Sequence, residues 1–252
     1  MALPVREGFS WPEGKRVALS LTFDDGRSSQ VEYGIPILEA AGVKATFYVT
    51  PANCVRHLPA WRETARNHEI GNHTVNHPCS VNFGFARHNA LEEYTLERME
   101  AELTDANTRI QDDLGVTPAT FAYPCGQTFV GRGEGARSYV PLVAKHFLAG
   151  RGFWEPYHNA PGYCDLAQVR GASFDATPFH TLKEQIESAA ADGGWLVLVG
   201  HDVGAVGPRQ TVIDAVLREI CAYATDPANG VWVDTVEAIA SYVQVQRSTA
   251  MT

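Results

Sequence analysis

Short apolar runs rich in Val, Leu, Phe and Tyr recur along the chain, separated by longer stretches whose apolar residues return every three to four positions. The short runs predict strands at VALSLTF (17–23), KATFYVT (44–50), HEIGN (68–72), TFAYP (120–124), HFLAG (146–150), QVRGASF (168–174), WLVLVG (195–200) and VWVDT (231–235). The intervening stretches predict helices over 33–42, 57–67, 91–115, 136–145, 181–193, 209–224 and 236–246. In 91–115, residues Leu91, Met99, Leu103, Ile110 and Leu114 share one face, and Gly115 supplies a C-terminal stop.

Strand and helix alternate about eight times, which favours parallel strands joined by crossover helices. The 252 residues match the usual length of a (β/α) barrel. No internal repeat, low-complexity tract or Pro/Gly linker divides the chain, so the pattern is read as a single domain. The stretch 125–165, rich in Gly, Arg and aromatics, reads as insertions at the barrel edge.

The chemically active residues fall just after strands. Asp24 and Asp25 follow the first, His73 and His77 the third, Pro124-Cys125-Gly126 the fourth, and His201 with Asp202 the seventh. In a parallel barrel every strand ends on the same face, so these groups are expected to converge. HTVNH (73–77) spaces two histidines by four, and on a helical turn both imidazoles reach one ion. Two neutral nitrogens and one carboxylate make a facial three-ligand site for a divalent metal, with open positions for water and substrate. One aspartate of the pair then serves as ligand and the other as general base, the cation allowing both to ionise side by side.

Composition narrows the field. At 45% apolar and 19% charged residues the chain has an ordinary globular composition, and a net charge of −9 argues against a general nucleic-acid phosphate binder. No run of about 18 apolar residues predicts a membrane span. Five dispersed cysteines, Cys54, Cys79, Cys125, Cys164 and Cys221, contain no Cys-x-x-Cys pair and read as free thiols in a reducing compartment. Together with an N-terminus lacking the apolar centre of a signal peptide, they favour a cytoplasmic location, the alternative being export with a leader removed.

TFDDG (22–26), ATFYV (45–49), GNHTVNH (71–77), FAYPCG (121–126) and LVLVGHD (196–202) resemble, in order and over about residues 15–245, the motifs of polysaccharide deacetylases of carbohydrate esterase family 4. The resemblance implies a distorted (β/α) barrel of seven or eight strands and hydrolysis of an N-acetyl group from an amino sugar or its polymer. It implies Asp24 as catalytic base, Asp25, His73 and His77 as ligands of one divalent ion (commonly zinc, with cobalt or nickel accepted), His201 as general acid, and the Cys125 backbone N–H as oxyanion donor.

The chain departs from the family pattern in places. The family's arginine three residues before the motif proline is Phe121 here, and Arg170 is the candidate to supply the missing charge. Asp175 is the candidate partner that orients His201. In GRGFWEPYHNAPGY (150–163), Phe153, Trp154, Tyr157, His158 and Tyr163 offer rings, with Trp154 and Tyr157 the candidates for stacking on a sugar. These departures leave two alternatives beside the N-acetyl sugar: a small cyclic imide or amide as substrate, or a carbohydrate-binding descendant without catalysis.

Overall fold

In the computed structural model, residues 9–153 and 158–249 are described. Eight parallel strands form one sheet: β1 (Val17–Asp25), β2 (Thr46–Val49), β3 (Glu69–Asn72), β4 (Thr120–Ala122), β5 (Ala149–Arg151), β6 (Ala172–Ser173), β7 (Trp195–Gly200) and β8 (Val231–Val233). Their order is β5-β4-β3-β2-β1-β7-β6. β7 lies along one side of β1, pairing with residues 18–23. The other side of β1 is shared, with β8 on residues 17–19 and β2 on residues 22–25. The ends of the curled sheet meet through a single bridge between Arg151 and Val169, where Val169 N–H donates to Gly150 O and Gly152 N–H to Val169 O, each at 2.7 Å.

Alternation along the strands sorts the side chains. Ala18, Tyr48, Ala122, Ala149, Val169, Trp195 and Val197 fill the barrel interior. Leu19, Leu21, Phe23, Phe47 and Val49 point outward instead, against α1 (Ile35–Ala40), α2 (Leu58–Asn67), α5 (Phe179–Ala191) and α6 (Asp214–Thr225). Phe121, Tyr123 and Phe147 form a second outer cluster with α3 (Leu96–Leu114) and α4 (Val140–His146). The interior narrows where Tyr48 crosses it; a Cβ on Gly71 would stand 2.4 Å from the Tyr48 ring, so glycine is required there.

The floor of the barrel is closed by α7 (Val236–Thr249), which packs Val236, Ile239, Ala240 and Val243 into the interior cluster. Its first N–H groups are met from inside. Thr46 Oγ1 accepts from Val236 N–H at 2.9 Å, and Glu69 Oε2 accepts from Glu237 N–H at 2.9 Å. Glu69 also accepts from Thr46 Oγ1 at 2.8 Å and contacts Thr120 Oγ1.

Several boundaries differ from the pattern-based reading. The fifth strand lies at Ala149–Arg151 rather than 146–150, which brings Arg151 into the barrel. The sixth shrinks to Ala172–Ser173. The 91–115 helix starts at Leu96, because Thr95 Oγ1 caps it by accepting from Arg98 N–H at 3.2 Å. The β-branched stretch Thr211–Ile213 pairs with Asp202–Gly204 as strand before α6 begins.

Candidate active site

Asp24 and Asp25 end β1, yet both face one cavity. Alternation would send them to opposite faces; Asp25 escapes it by adopting φ +76°, a left-handed backbone that non-glycine residues seldom take. Its carbonyl is held there by Asn53 Nδ2 at 2.8 Å. Four more left-handed non-glycine residues, Thr74, His77, Cys125 and Ala176, stand on segments that carry site groups; among the described residues Glu13 alone is far from it.

His73 Nε2 and His77 Nε2 each lie 3.6 Å from Asp25 Oδ1. Ligand atoms about 2.1 Å from one tetrahedral ion stand roughly 3.4 Å apart, so the three fit a shared divalent ion. The supporting contacts agree with that use. His73 Nδ1 is within 2.9 Å of Ala122 O, which fixes the ring and leaves Nε2 as the inward lone pair. Burial and the neighbouring His73 push His77 down to about 4 against the pull of Asp25, leaving a neutral imidazole. Burial works to raise the Asp25 carboxyl, but His73, His77 and Arg27 outweigh it and hold it at about 2.

The ligand loop is irregular rather than the helical turn expected from His-x-x-x-His. Thr74 and His77 are left-handed, and the loop is wrapped around a carboxylate supplied by α3. Glu102 Oε2 accepts from Val75 N–H and Asn76 N–H at 3.0 Å each, while Oε1 accepts from Asn76 Nδ2 at 2.5 Å and Tyr94 OH at 2.9 Å. Thr74 N–H donates to Asn72 Oδ1 and His77 N–H to Thr74 Oγ1.

Asp25 uses its second oxygen elsewhere. Arg27 Nε donates to Asp25 Oδ2 at 2.9 Å, and its Nη1 to Asp202 Oδ2 at 2.6 Å. Ser29 Oγ completes the link by donating to Asp202 Oδ1 at 2.6 Å. Arg27 thus pins Oδ2 and leaves Oδ1 to the histidines.

Asp24 is buried and paired with Arg151, whose guanidinium is fully enclosed. Arg151 Nη1 also donates to Gly152 O at 3.0 Å, and the group lies 5.0 Å from the Tyr48 ring centre. Burial raises the Asp24 carboxyl, but Arg151, His73 and His201 together hold it below its ordinary value. Arg151 therefore supplies the cation for which Arg170 was the candidate. Arg170 is exposed, and its backbone N–H donates to Asn159 Oδ1 at 2.8 Å. Phe121 points to the outer face and stacks on Phe147, so this position of β4 does not address the cavity at all. One backbone clamp joins the two strand ends: the enclosed Gln30 Nε2 donates to Asp24 O at 2.6 Å and His201 O at 2.9 Å.

His201 and Asp175 meet as the sequence suggested. Nδ1 lies 2.5 Å from Asp175 Oδ2, and His201 N–H donates to Asp175 Oδ1 at 2.9 Å. Burial lowers the imidazole, but the Asp175 bond and the Asp24 charge prevail and raise it above 6.5.

The segment after β4 brings Cys125 to the cavity wall, and here the thiol reading is corrected. Cys79 and Cys125 form a disulfide; Cys54, Cys164 and Cys221 are free. The fold puts the two sulfurs together across 46 residues, which sequence spacing does not reveal. The cavity, about 330 Å³, is lined by Asp24, Asp25, Arg27, His73, His77, Phe83, Phe85, Cys125, Phe153, His201 and Gln210. Phe83 and Phe85 stand exposed at its mouth. Trp154 and Tyr157 lie outside the described residues.

The site residues missed in the sequence include Arg151, Arg27, Gln30 and Glu102, with Phe83, Phe85 and Gln210 on the cavity wall. Arg27 carried a signal, directly following the Asp-Asp-Gly turn. Arg151 carried a weaker one, an arginine one position beyond the end assigned to an apolar strand.

The chain is similar in sequence and fold to several known proteins. Residues 12–133 match the family model described as polysaccharide deacetylase. Chitin deacetylase 1 of Cryptococcus neoformans var. grubii is 35% identical over 107 residues, which cover 42% of this chain and 20% of the relative. Peptidoglycan-N-acetylglucosamine deacetylase PgdA of Listeria monocytogenes is 30% identical over 114 residues, 44% of this chain and 22% of the relative. The chain thus spans about a fifth of the length of these curated relatives. In fold it is similar to the crystal structure of a putative polysaccharide deacetylase from Mycobacterium smegmatis, with a TM-score of 0.67 at 21% identity over 98% of this chain and 96% of the other. Through residues 12–133, just under half of its length, the chain is thus similar to the polysaccharide deacetylase family.

Proposed function

We propose that the protein is a metal-dependent hydrolase that removes the acetyl group from an N-acetylated amino sugar or its polymer, releasing acetate. One observation carries the reading. Two imidazole nitrogens converge on one oxygen of Asp25, beside a second carboxylate, Asp24, that is charged and held by Arg151. A surface cluster of histidines needs no such partition of two adjacent aspartates into different tasks.

Asp25, His73 and His77 would hold a divalent ion of the zinc, cobalt or nickel kind. When bound, that ion supplies a Lewis acid that polarises the acetyl carbonyl and makes water a better nucleophile. The chain's own groups do the rest. Asp24 accepts the proton of the attacking water, and Arg151 keeps it ionised while burial opposes this. The N–H of Cys125, a residue of the cavity wall, would donate to the oxygen on which negative charge grows, a contribution worth about 3–4 kcal/mol for a well-placed donor. His201, charged through Asp175 and presenting Nε2, hands a proton to the departing nitrogen as the C–N bond breaks. The products are acetate and a free amine.

The test is metal content by elemental analysis together with acetate release from N-acetylglucosamine oligomers and peptidoglycan fragments. About one divalent ion per chain and acetate release are expected. Asp24→Asn should keep the metal while lowering kcat by about 10²-fold or more. Full activity in Asp24→Asn rejects the base assignment. The small cavity, about 330 Å³, also suits a compact cyclic amide or imide, so ring opening of such compounds is measured in parallel. Ring opening without acetate release would replace the sugar reading.

A further inference from the structure

We propose that the Cys79–Cys125 disulfide positions the oxyanion donor, so that full turnover requires this bond to be formed. The inference rests on the reading above, in which the Cys125 N–H meets the developing negative charge.

Cys125 is held at φ 54° and ψ 17°, a left-handed conformation in which the Cβ of an L-residue crowds its own backbone. Gly126 follows at φ 67°. Two successive left-handed residues make the tight kink that turns this backbone toward the cavity. Glycine adopts such a conformation freely; a cysteine needs something to keep it there. Its side chain is tied to Cys79, which is fully buried and lies two residues past the ligand His77. Cys79 is itself fixed, since its carbonyl accepts from Leu91 N–H at 3.0 Å and its backbone bridges to Ala90. A second, non-covalent tie runs beside the disulfide: Gln127 Oε1 accepts from Ser80 N–H at 2.7 Å. The disulfide is therefore the covalent strut between the ligand loop and the oxyanion segment, attached at a residue held in a left-handed backbone conformation.

Reduction by an external dithiol transfers two electrons. The S–S bond breaks, two thiols form, and the reagent closes to its own cyclic disulfide. Cys125 is then free to relax toward a right-handed or extended backbone, carrying its N–H off target. Asp25 and His73 keep their own supports in Arg27 and Ala122, and the His77 backbone keeps its bond to Thr74 Oγ1, so metal retention is expected through the change even though Cys79 Sγ lies 3.6 Å from His77 Nδ1.

The experiment compares the oxidised protein with protein treated with dithiothreitol, both freed of reagent, with thiols counted by titration and metal by elemental analysis. Reduction should lower kcat about tenfold or more, since a full oxyanion donor is worth about 10²–10³-fold. KM and metal content should stay within about twofold, and reoxidation should restore the rate. Cys79→Ala should match the reduced protein with or without dithiol. The double variant C79A/C125G should turn over faster than C79A and be indifferent to dithiol, because glycine takes the kink without a tether. Equal kcat in the oxidised and fully reduced forms overturns the tether and leaves the deacetylase reading standing. Loss of metal on reduction, or no gain in C79A/C125G over C79A, also overturns it. Turnover by neither form rejects the functional reading and the tether with it.

Discussion

Two buried carboxylates stand at opposite ends of the same barrel interior, and their surroundings drive them in opposite directions. Asp24, at the rim, is held below its ordinary value because Arg151 outweighs the effect of burial. Glu69, at the floor, forms no ion pair among the described residues; hydrogen bonds from the Glu237 backbone, Thr120 and Thr46 only partly offset burial, and its carboxyl rises to about 7. Tyr48 lies between them, with Arg151 over its ring and its hydroxyl accepting from Thr120 Oγ1 at 3.2 Å, and Thr120 in turn reaches Glu69. Equal burial therefore does not make equal acids. One guanidinium at one end keeps a carboxylate charged, while neutral donors at the other make a protonatable cap for a helix.

The sharpest way to break this contrast is to remove the guanidinium. Arg151→Met should leave Asp24 enclosed without its partner, and losing one member of a buried ion pair typically costs about 3–5 kcal/mol. Chemical denaturation near neutral pH measures this. The double variant D24N/R151M should recover part of the loss, since no charge is then stranded. If R151M is as stable as the parent, Arg151 is not what holds Asp24 ionised.

The floor carboxylate gives the next largest effect, with opposite sign in pH. A group whose folded value lies above its unfolded one binds its proton more tightly in the native state. Its stabilisation is full below the ordinary 4.5 and is lost as pH rises to about 7. That gap corresponds to about 3 kcal/mol. Stability should therefore fall between about pH 4.5 and 7, and Glu69→Gln, which keeps a neutral group under α7, should flatten that fall. An unchanged slope in Glu69→Gln would show that Glu69 is charged in the fold and that the contrast with Asp24 is false.

How much of this was legible beforehand follows from what each feature depends on. The barrel was readable because period-two strands and 3.6-residue helices alternate, and the convergence of Asp25, His73 and His77 follows from strand ends sharing a face. Arg151 was not readable. Whether it enters the barrel depends on β5 running one residue past the apolar run, so that Arg151 continues the inward face of Ala149. The disulfide was hidden for a different reason, since it joins two loops brought together only by the closed sheet. The ligand loop was misjudged in conformation because Glu102, 25 residues beyond His77 and on another helix, replaces the helical hydrogen bonds that the His-x-x-x-His spacing suggested.

That loop supplies a smaller effect at the rim. Glu102→Gln retains the size but not the charge that gathers Val75 N–H, Asn76 N–H and Tyr94 OH. Groups that orient metal ligands typically account for about 10–100-fold in affinity, and the lower part of that range is expected here because both ligand rings keep other supports. Titration of metal-stripped protein with zinc or cobalt measures it. An unchanged affinity would mean that Glu102 shapes the loop without reaching the ligands.

The smallest effect concerns His201, the proposed acid, rather than Asp24, the proposed base. His201 is raised above 6.5 because Asp175 and Asp24 outweigh burial, so it stays protonated further into the neutral range than a free imidazole. Turnover that needs its proton is present at low pH on this limb and declines as pH rises through the raised value. Asp175→Asn keeps a hydrogen-bonding side chain beside Nδ1 but removes the negative charge, so the limb should move to lower pH. The rate should then drop about tenfold on the alkaline side and change least at the acid end of the limb, where His201 is protonated in both forms. This displacement separates proton supply from mere packing, because a packing defect would lower the rate equally at every pH. A limb that stays in place would assign the alkaline decline to some other group and leave Asp175 as a prop for the His201 ring.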